Sequence, residues 1–340
     1  MKRVTGFTWT VRDTPLVTQR ERWGDVLLEE ARRDPRVVAV SADLSTTTKL
    51  AAMRAEMPDR VLNVGVAEQN MIAVSAGLAA AGMRVVCCTY AVFGALRAAE
   101  FVRTDLAYNA RDVVLVGALG GVAFGAGGPT HHALEDVALL RAIPGLRVLV
   151  AADGHASGSL LAAALAAGGP TYLRVGRGSD RLVYEEPSPR LTLGRARELR
   201  AGGDVVVLAN GPPVAEALEA ARRAERAGVA VGVLDVHTVK PLDRDAICAA
   251  AARAGRVITV EDHARAGGLG GAVAEALFEN DVSCKLRVLG HPDAFAPAGL
   301  AEDLMHASGI DADGIFAAIL ALTGAAAPPD DAWGDEGGDG

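Results

Sequence analysis

The chain has 340 residues, half of them hydrophobic, and its 42 acidic against 34 basic residues give a net charge of −8. That length supplies two domains of ordinary size with proper cores, and the acidic balance, with no basic cluster, argues against a nucleic-acid partner. No unbroken apolar run reaches the roughly 18 residues that span a bilayer. Met1 to Pro15 lacks the apolar region of a signal peptide, and Cys87, Cys88, Cys248 and Cys284 lack metal-ligand spacing. The chain therefore reads as cytoplasmic, with reduced thiols.

Residues 1–18 have weak periodicity and read as an arm. From Arg20 to Arg33, Trp23, Val26, Leu27 and Ala31 fall on one helical face. RVVAVSADL predicts a strand ending at Asp43, with a loop or helix start over Ser45 to Thr48, and RVLNVGV a strand running into a helix that carries Glu68, Gln69 and Asn70 in its first turn. MRVVCCTY is a further strand, followed by a helix from Phe93 to Tyr108 and then the buried strand DVVLVGAL. GGVAFGAGGPTHH is a glycine-rich loop with freedom to bend. A helix over 134–143, the strand LRVLVAAD, a helix over 155–167 and the strand TYLRVGRG complete this half. Strands alternating with helices predict an α/β fold with a mainly parallel, doubly wound sheet over 19–186. After a linker at 187–200 the pattern restarts with DVVVLAN, VAVGVLDV, RVITVED and KLRVLG, giving a second, smaller α/β domain over 201–324. Residues 325–340, rich in Ala, Pro, Asp and Gly, predict a disordered acidic tail.

Glu68 stands at a strand-to-helix corner. Ligands of open α/β sheets sit at such corners, at the carboxyl ends of strands. The helix dipole favours the anion there while a dry site disfavours it, so the proton affinity of such a carboxylate is tunable in both directions. The alternative is an ordinary acidic residue in a first helical turn.

NVGVAEQNM, CCTYAVFGALRAAEFVR and GAGGPTHHALEDVALLRAIPGL, in that order, resemble the pyrimidine-binding domain of the transketolase family of thiamine-diphosphate enzymes. LDVHTVKPLD and VEDHARAGGLGGAVAEAL resemble the family's C-terminal domain, and the resemblance runs from about Arg20 to about Leu322. It implies that Glu68 is the carboxylate set against N1′ of the cofactor's aminopyrimidine. Tyr90 and Phe93 would give the stacking slot its aromatic faces, with Leu96 standing where a third aromatic is expected. His131 of GPTHH would exchange protons with substrate, and His132 is its variable neighbour. Asp43 would line the cofactor. Arg20 and Arg177 would hold a substrate phosphate, Thr47 stands where a phosphate-contacting serine is expected, and Arg174 is a further candidate. Two departures weaken recognition of an ordinary sugar phosphate: Gly127 replaces an acidic residue, and Leu119 or a near neighbour replaces a histidine.

The Gly-Asp-Gly motif that holds Mg²⁺ and the diphosphate in this family is missing. Gly203-Asp204 continues into a strand, and GDEGGDG at the end has no sheet after it. The resemblance thus implies half an enzyme with no metal ligands of its own, and an α subunit that supplies Mg²⁺ and diphosphate binding in a heterotetramer of two α and two β subunits. Gly268 and Gly270 begin a G-x-G pattern, but Val273 occupies the third glycine position, which reads as close helix–strand packing. His237, His263, His291 and His306 lack metal spacing and read as structural.

The leading expectation is the β subunit of a split transketolase-like enzyme that transfers a two-carbon ketol, or related acyl, unit to a carbonyl acceptor. The alternatives are the β subunit of a 2-oxoacid dehydrogenase decarboxylase, a one-chain 1-deoxyxylulose phosphate ligase, a non-catalytic scaffold that kept the fold, and a nucleotide-binding module.

Overall fold

The computed structural model describes residues 18–177 and 181–327; the expected arm at 1–17 and the acidic end of the tail, 328–340, lie outside the described residues. In the first half the strands are β1 (Val37–Ser41), β2 (Val61–Asn63), β3 (Arg84–Tyr90), β4 (Val113–Ala118), β5 (Arg147–Val150) and β6 (Thr171–Arg174). The helices are α1 (Gln19–Arg33), α2 (Ala51–Glu56), α3 (Glu68–Ala80), α4 (Ala99–Phe101), α5 (Asp136–Arg141) and α6 (Gly154–Ala167). The second half holds β7 (Arg197–Arg200), β8 (Val205–Ala209), β9 (Val231–Asp235), β10 (Thr238–Lys240), β11 (Arg256–Ala264) and β12 (Lys285–His291). Its helices are α7 (Pro213–Arg226), α8 (Arg244–Ala254), α9 (Leu269–Glu279), α10 (Ala301–Ala307) and α11 (Ala312–Thr323).

The strands form two sheets, ordered β10-β5-β6-β4-β3-β1-β2 and β12-β11-β8-β9-β7. Pairing is parallel except at two edges, where β10 runs antiparallel to β5 and β7 antiparallel to β9. The interior strands are unbroken valine-rich runs because helices cover both of their faces. Helix ends are set locally: the Thr18, Asp153, Asp243 and Asp311 side chains accept N–H groups in the first turns of α1, α6, α8 and α11. The apolar stretch 301–323 is broken by a turn between α10 and α11, and Ile315 and Ile319 are fully buried.

Three features go beyond the sequence pattern. The helix expected from Phe93 to Tyr108 is α4 flanked by two wide π-helical turns, Phe93–Arg97 and Val102–Tyr108, a geometry that recurs at functional sites. The segment 187–200 contains strand β7. Finally, β10, from the second half of the chain, closes the first sheet by pairing Thr238 with Leu149 and Lys240 with Val148. One apolar core then runs from Trp23 and Leu27 through Tyr184 and Leu191 to Ile315 and Ile319, so the two halves bury their faces against each other.

Candidate active site

The carboxyl ends of β1, β2, β3 and β4 lie side by side, and the residues that follow them form the site. The backbone turns sharply there: Asp43 after β1 and Leu119 after β4 hold positive φ of 62° and 59°, a conformation non-glycine residues adopt only when their surroundings enforce it. Asp43 is fixed by Asn63 at the end of β2, whose Nδ2–H donates to Asp43 Oδ1 (2.9 Å) and whose Oδ1 accepts the Asp43 N–H (2.9 Å).

Glu68 opens α3 and is only 2 % exposed. Its Oε2 is buried without a hydrogen-bond partner among the described residues, and its salt-bridge partner is Arg97, whose Nη1 stands 3.6 Å away. An open acceptor on a buried carboxylate is costly unless a ligand completes it. The π-turn that begins at Phe93 carries Arg97 back over the Phe93 ring, with Cζ 5.4 Å from the centroid.

Aromatic rings continue the wall. Tyr90, at the end of β3, stacks on Phe93 at 6.0 Å. The His131 ring meets the edges or faces of Phe93 (5.6 Å), Tyr90 (6.2 Å) and Phe124 (5.4 Å). Its Nδ1 lies 3.0 Å from Thr130 Oγ1; a hydroxyl donating there leaves the imidazole proton on Nε2. Arg177 lies over Phe124 with Cζ 5.0 Å from the centroid. Arg20 Nε–H donates to the Arg177 carbonyl (2.6 Å) and Nη1–H to the Thr47 carbonyl (3.1 Å). Burial first, then the Arg177 charge, pulls the Arg20 guanidinium below its usual value. Two guanidinium side chains are thus held close together with no carboxylate in ion-pair range of either among the described residues, an arrangement whose charge an anion would balance.

Glu68, Phe93, Tyr90, His131, Arg177, Arg20 and Thr47 therefore form one connected surface, with Thr47 contributing its carbonyl. Asp43 bonds Asn63, beside that surface. Sequence reasoning missed Phe124 and Arg97. Phe124 stands in the glycine-rich loop, and the signal for it was a single aromatic among glycines. Arg97 adjoins Leu96, the position singled out for its missing aromatic; Leu96 is 43 % exposed, and Arg97 covers Phe93 instead.

The loop that carries Phe124 and His131 does not bend freely, contrary to the expectation from its glycines. Asp262, at the end of β11, accepts the Val122 N–H on both oxygens (3.2 Å each) and bonds His291 Nε2 (2.8 Å), while Ser308 Oγ reaches His291 Nδ1 (2.8 Å). Arg174 is fully committed beside it: Nε–H donates to Asp136 Oδ2, and Nη2–H to the carbonyls of Ala133 and Asp262, all at 2.8 Å. It is a structural hub and not a free phosphate ligand. Gly121, with φ 65°, leaves no room for a Cβ, which would fall 1.8 Å from Asp262 Oδ2. A Cβ on Gly127 would meet His131 Cβ and Phe124 Cδ1 at 2.8 Å, so the Phe124–His131 contact occupies the space an acidic side chain needs. At Gly121 and Gly127 the glycines serve close contacts, and not loop freedom.

The remaining singled-out residues are structural. His132 Nε2 lies 3.2 Å from the Gly125 carbonyl. His263 accepts the Ala138 N–H at Nε2 and lies 2.7 Å from the Ala264 carbonyl at Nδ1. His237 bonds Thr238, and burial pushes its pKa down to about 4. The thiols of Cys87 and Cys88 are buried and free, and burial pushes Cys87 up to about 12. Glu261 accepts the Leu269 and Gly270 N–H groups (2.7 and 3.0 Å), filling the N-terminus of α9 where a dinucleotide phosphate would bind. Among the described residues one trio, His306, Asp311 and Asp313, could approach a metal ion, but His306 pairs with Asp311, and Asp313 with Arg223. A cleft formed by α1, α6 and residues 188–192 is lined by Arg22, Glu29, Glu30, Arg33 and Arg190, with Arg22 paired to Glu29 and Arg33 to Glu30, and shares no residue with the site.

Residues 17–181 match the family described as the transketolase pyrimidine binding domain, and residues 194–315 the transketolase C-terminal domain. The chain belongs to the transketolase family. It is 38% identical to an apulose-4-phosphate transketolase subunit of Phocaeicola vulgatus over 90% of this chain and 97% of that one. It is 39% identical to the 6-deoxy-6-sulfo-D-fructose transketolase subunit SqwH of a Clostridium species, over 89% of this chain and 94% of the other. Among solved structures it is similar to a split-gene transketolase described as an inactive beta4 tetramer, with TM-score 0.82 and 35% identity over 91% of this chain and 99% of that chain. The transketolase of Leishmania mexicana, 22% identical, shares the fold with TM-score 0.73, and this chain spans 46% of it.

Proposed function

We propose that this transketolase-family chain is the β subunit of a split enzyme, and that it binds the aminopyrimidine of thiamine diphosphate between Glu68, Phe93 and Tyr90. The observation that carries the reading is the buried, unpartnered Oε2 of Glu68 at the edge of an aromatic wall. A heteroaromatic ring with an N–H donor fits that pairing of acceptor and ring face. When bound, the cofactor supplies the carbon nucleophile that takes up and releases a two-carbon unit. Glu68 accepts a hydrogen bond from the ring's proton-bearing nitrogen, and Phe93 and Tyr90 exclude water from it. His131 holds a proton at Nε2 for a substrate hydroxyl. Arg177 and Arg20 hold the anionic end of the donor or acceptor, and Asp43, anchored by Asn63, lines the cofactor's side of the site. The Mg²⁺ and diphosphate ligands come from an α subunit in a heterotetramer of two α and two β subunits. That partnership is supported by the subunit names of the relatives and by the description of the β tetramer as inactive. Those names also favour ketol transfer over the 2-oxoacid dehydrogenase alternative.

The test uses the chain co-expressed with its α partner. Titrating thiamine diphosphate with Mg²⁺ should give tight binding to the complex, and Glu68→Gln should keep the melting temperature while abolishing turnover with ketose donors. Undiminished turnover in that variant sinks the reading.

A further inference from the structure

Arg97 has no role in the reading above, yet it touches both groups on which that reading turns. Its guanidinium lies over the Phe93 ring, with Cζ 5.4 Å from the centroid, and Nη1 lies 3.6 Å from Glu68 Oε2. The side chain is 56 % exposed, whereas that of its carboxylate partner is 3 % exposed. The separation from Oε2 is longer than a hydrogen bond, so the buried acceptor is screened by charge but not satisfied. The π-turn Phe93–Arg97 produces this placement, while the adjacent Leu96 is partly exposed.

A guanidinium is planar, bears N–H donors along its edge and stacks on aromatic faces. Those are also the properties that a protonated or imino-bearing pyrimidine ring would present to Phe93 and to the same Glu68 oxygen. Both cannot make the two contacts at once. We propose, resting on the thiamine diphosphate reading, that Arg97 is an internal occupant of the ring slot. It lies across Phe93 and Glu68 until the cofactor's heteroaromatic ring displaces it toward solvent. Arg97 then sets how tightly the ring is held: its displacement subtracts one cation–π contact and one partly solvated ion pair from the gain on binding.

The α-partner complex carries the test, by calorimetric titration of thiamine diphosphate with saturating Mg²⁺ into wild type, Arg97→Met and Arg97→Lys. Arg97→Met removes the competitor and should bind roughly three- to tenfold tighter, the range expected for losing two weak, half-exposed contacts. Arg97→Lys keeps the charge without the planar stack and should fall between. The gap between wild type and Arg97→Met should narrow as salt is raised from about 50 to about 500 mM, because the ion pair is screened. Equal or weaker binding by Arg97→Met, with an unchanged melting temperature, overturns the proposal and leaves the cofactor reading standing. Failure of the wild-type complex to bind the cofactor at all removes both.

Discussion

Replacing Asp262 with alanine should loosen the loop that carries Phe124 and His131. In the folded chain the Asp262 carboxylate is buried, accepts the Val122 N–H across the boundary between the two halves and pairs with His291 of its own half. Alanine leaves the Val122 N–H and His291 Nε2 without that acceptor, at roughly 1–3 kcal/mol for each buried group left unsatisfied. It also breaks a buried pair, for which removing one partner costs about 3–5 kcal/mol. These are overlapping descriptions of one loss, so the expected cost is about 3–5 kcal/mol, a large share of the roughly 5–15 kcal/mol that holds a domain folded. Because one core joins both halves, a urea melt followed by tryptophan fluorescence should show one transition with a clearly lowered midpoint, and Asp262→Asn should lie between alanine and wild type. Burial pushes Asp262 up, but the His291 hydrogen bond and charge, Arg174 and the Val122 N–H outweigh it, and the carboxyl ends below its usual value. With the folded pKa depressed, the stabilisation is complete above the unfolded value of about 3.9 and disappears as pH falls through the folded one. The variant and wild type should converge in acid. A cost under about 1 kcal/mol at pH 7 would refute the argument that this carboxylate latches the loop.

Two further outcomes follow from close contacts. Asp235 accepts the Tyr184 O–H at 2.6 Å; burial, with Asp153 adding to it against the Tyr184 hydrogen bond, raises its pKa to about 7. A raised carboxyl pKa means the folded state binds the extra proton, so stability falls as pH rises from about 4 to 7, and Asp235→Asn should flatten that decline in thermal melts. Gly127→Asp places a Cβ 2.8 Å from both His131 and Phe124, which should cost about 1–3 kcal/mol as overpacking. A melting temperature equal to wild type would show that the ring contact yields easily.

Much of this protein is legible in its sequence because the signals are local. Valine-rich runs bounded by helical periodicity mark β1, β3, β4, β8 and β11, since parallel strands buried on both faces admit little else. The strand-to-helix corner marks Glu68, and GPTHH marks His131. The residues that came through less clearly depend on long-range contacts. Arg97 is one position from the expected aromatic, and only the π-turn brings it over Phe93. Arg174 looks like an available cation until Asp136 and two carbonyls are seen to consume it. Asp262, remote in sequence, proves to hold the loop of Phe124 and His131.

By itself the sequence determined the alternating α/β pattern, the corner that carries Glu68 and the ordered motifs that resemble transketolases, because each is written in consecutive residues. Only the tertiary structure decided that β10 closes the first sheet, that the second half pins the His131 loop, and that Arg97 lies across the Glu68 slot. Those outcomes turn on which distant groups meet in space, and neither hydrophobic periodicity nor a local motif encodes such a meeting.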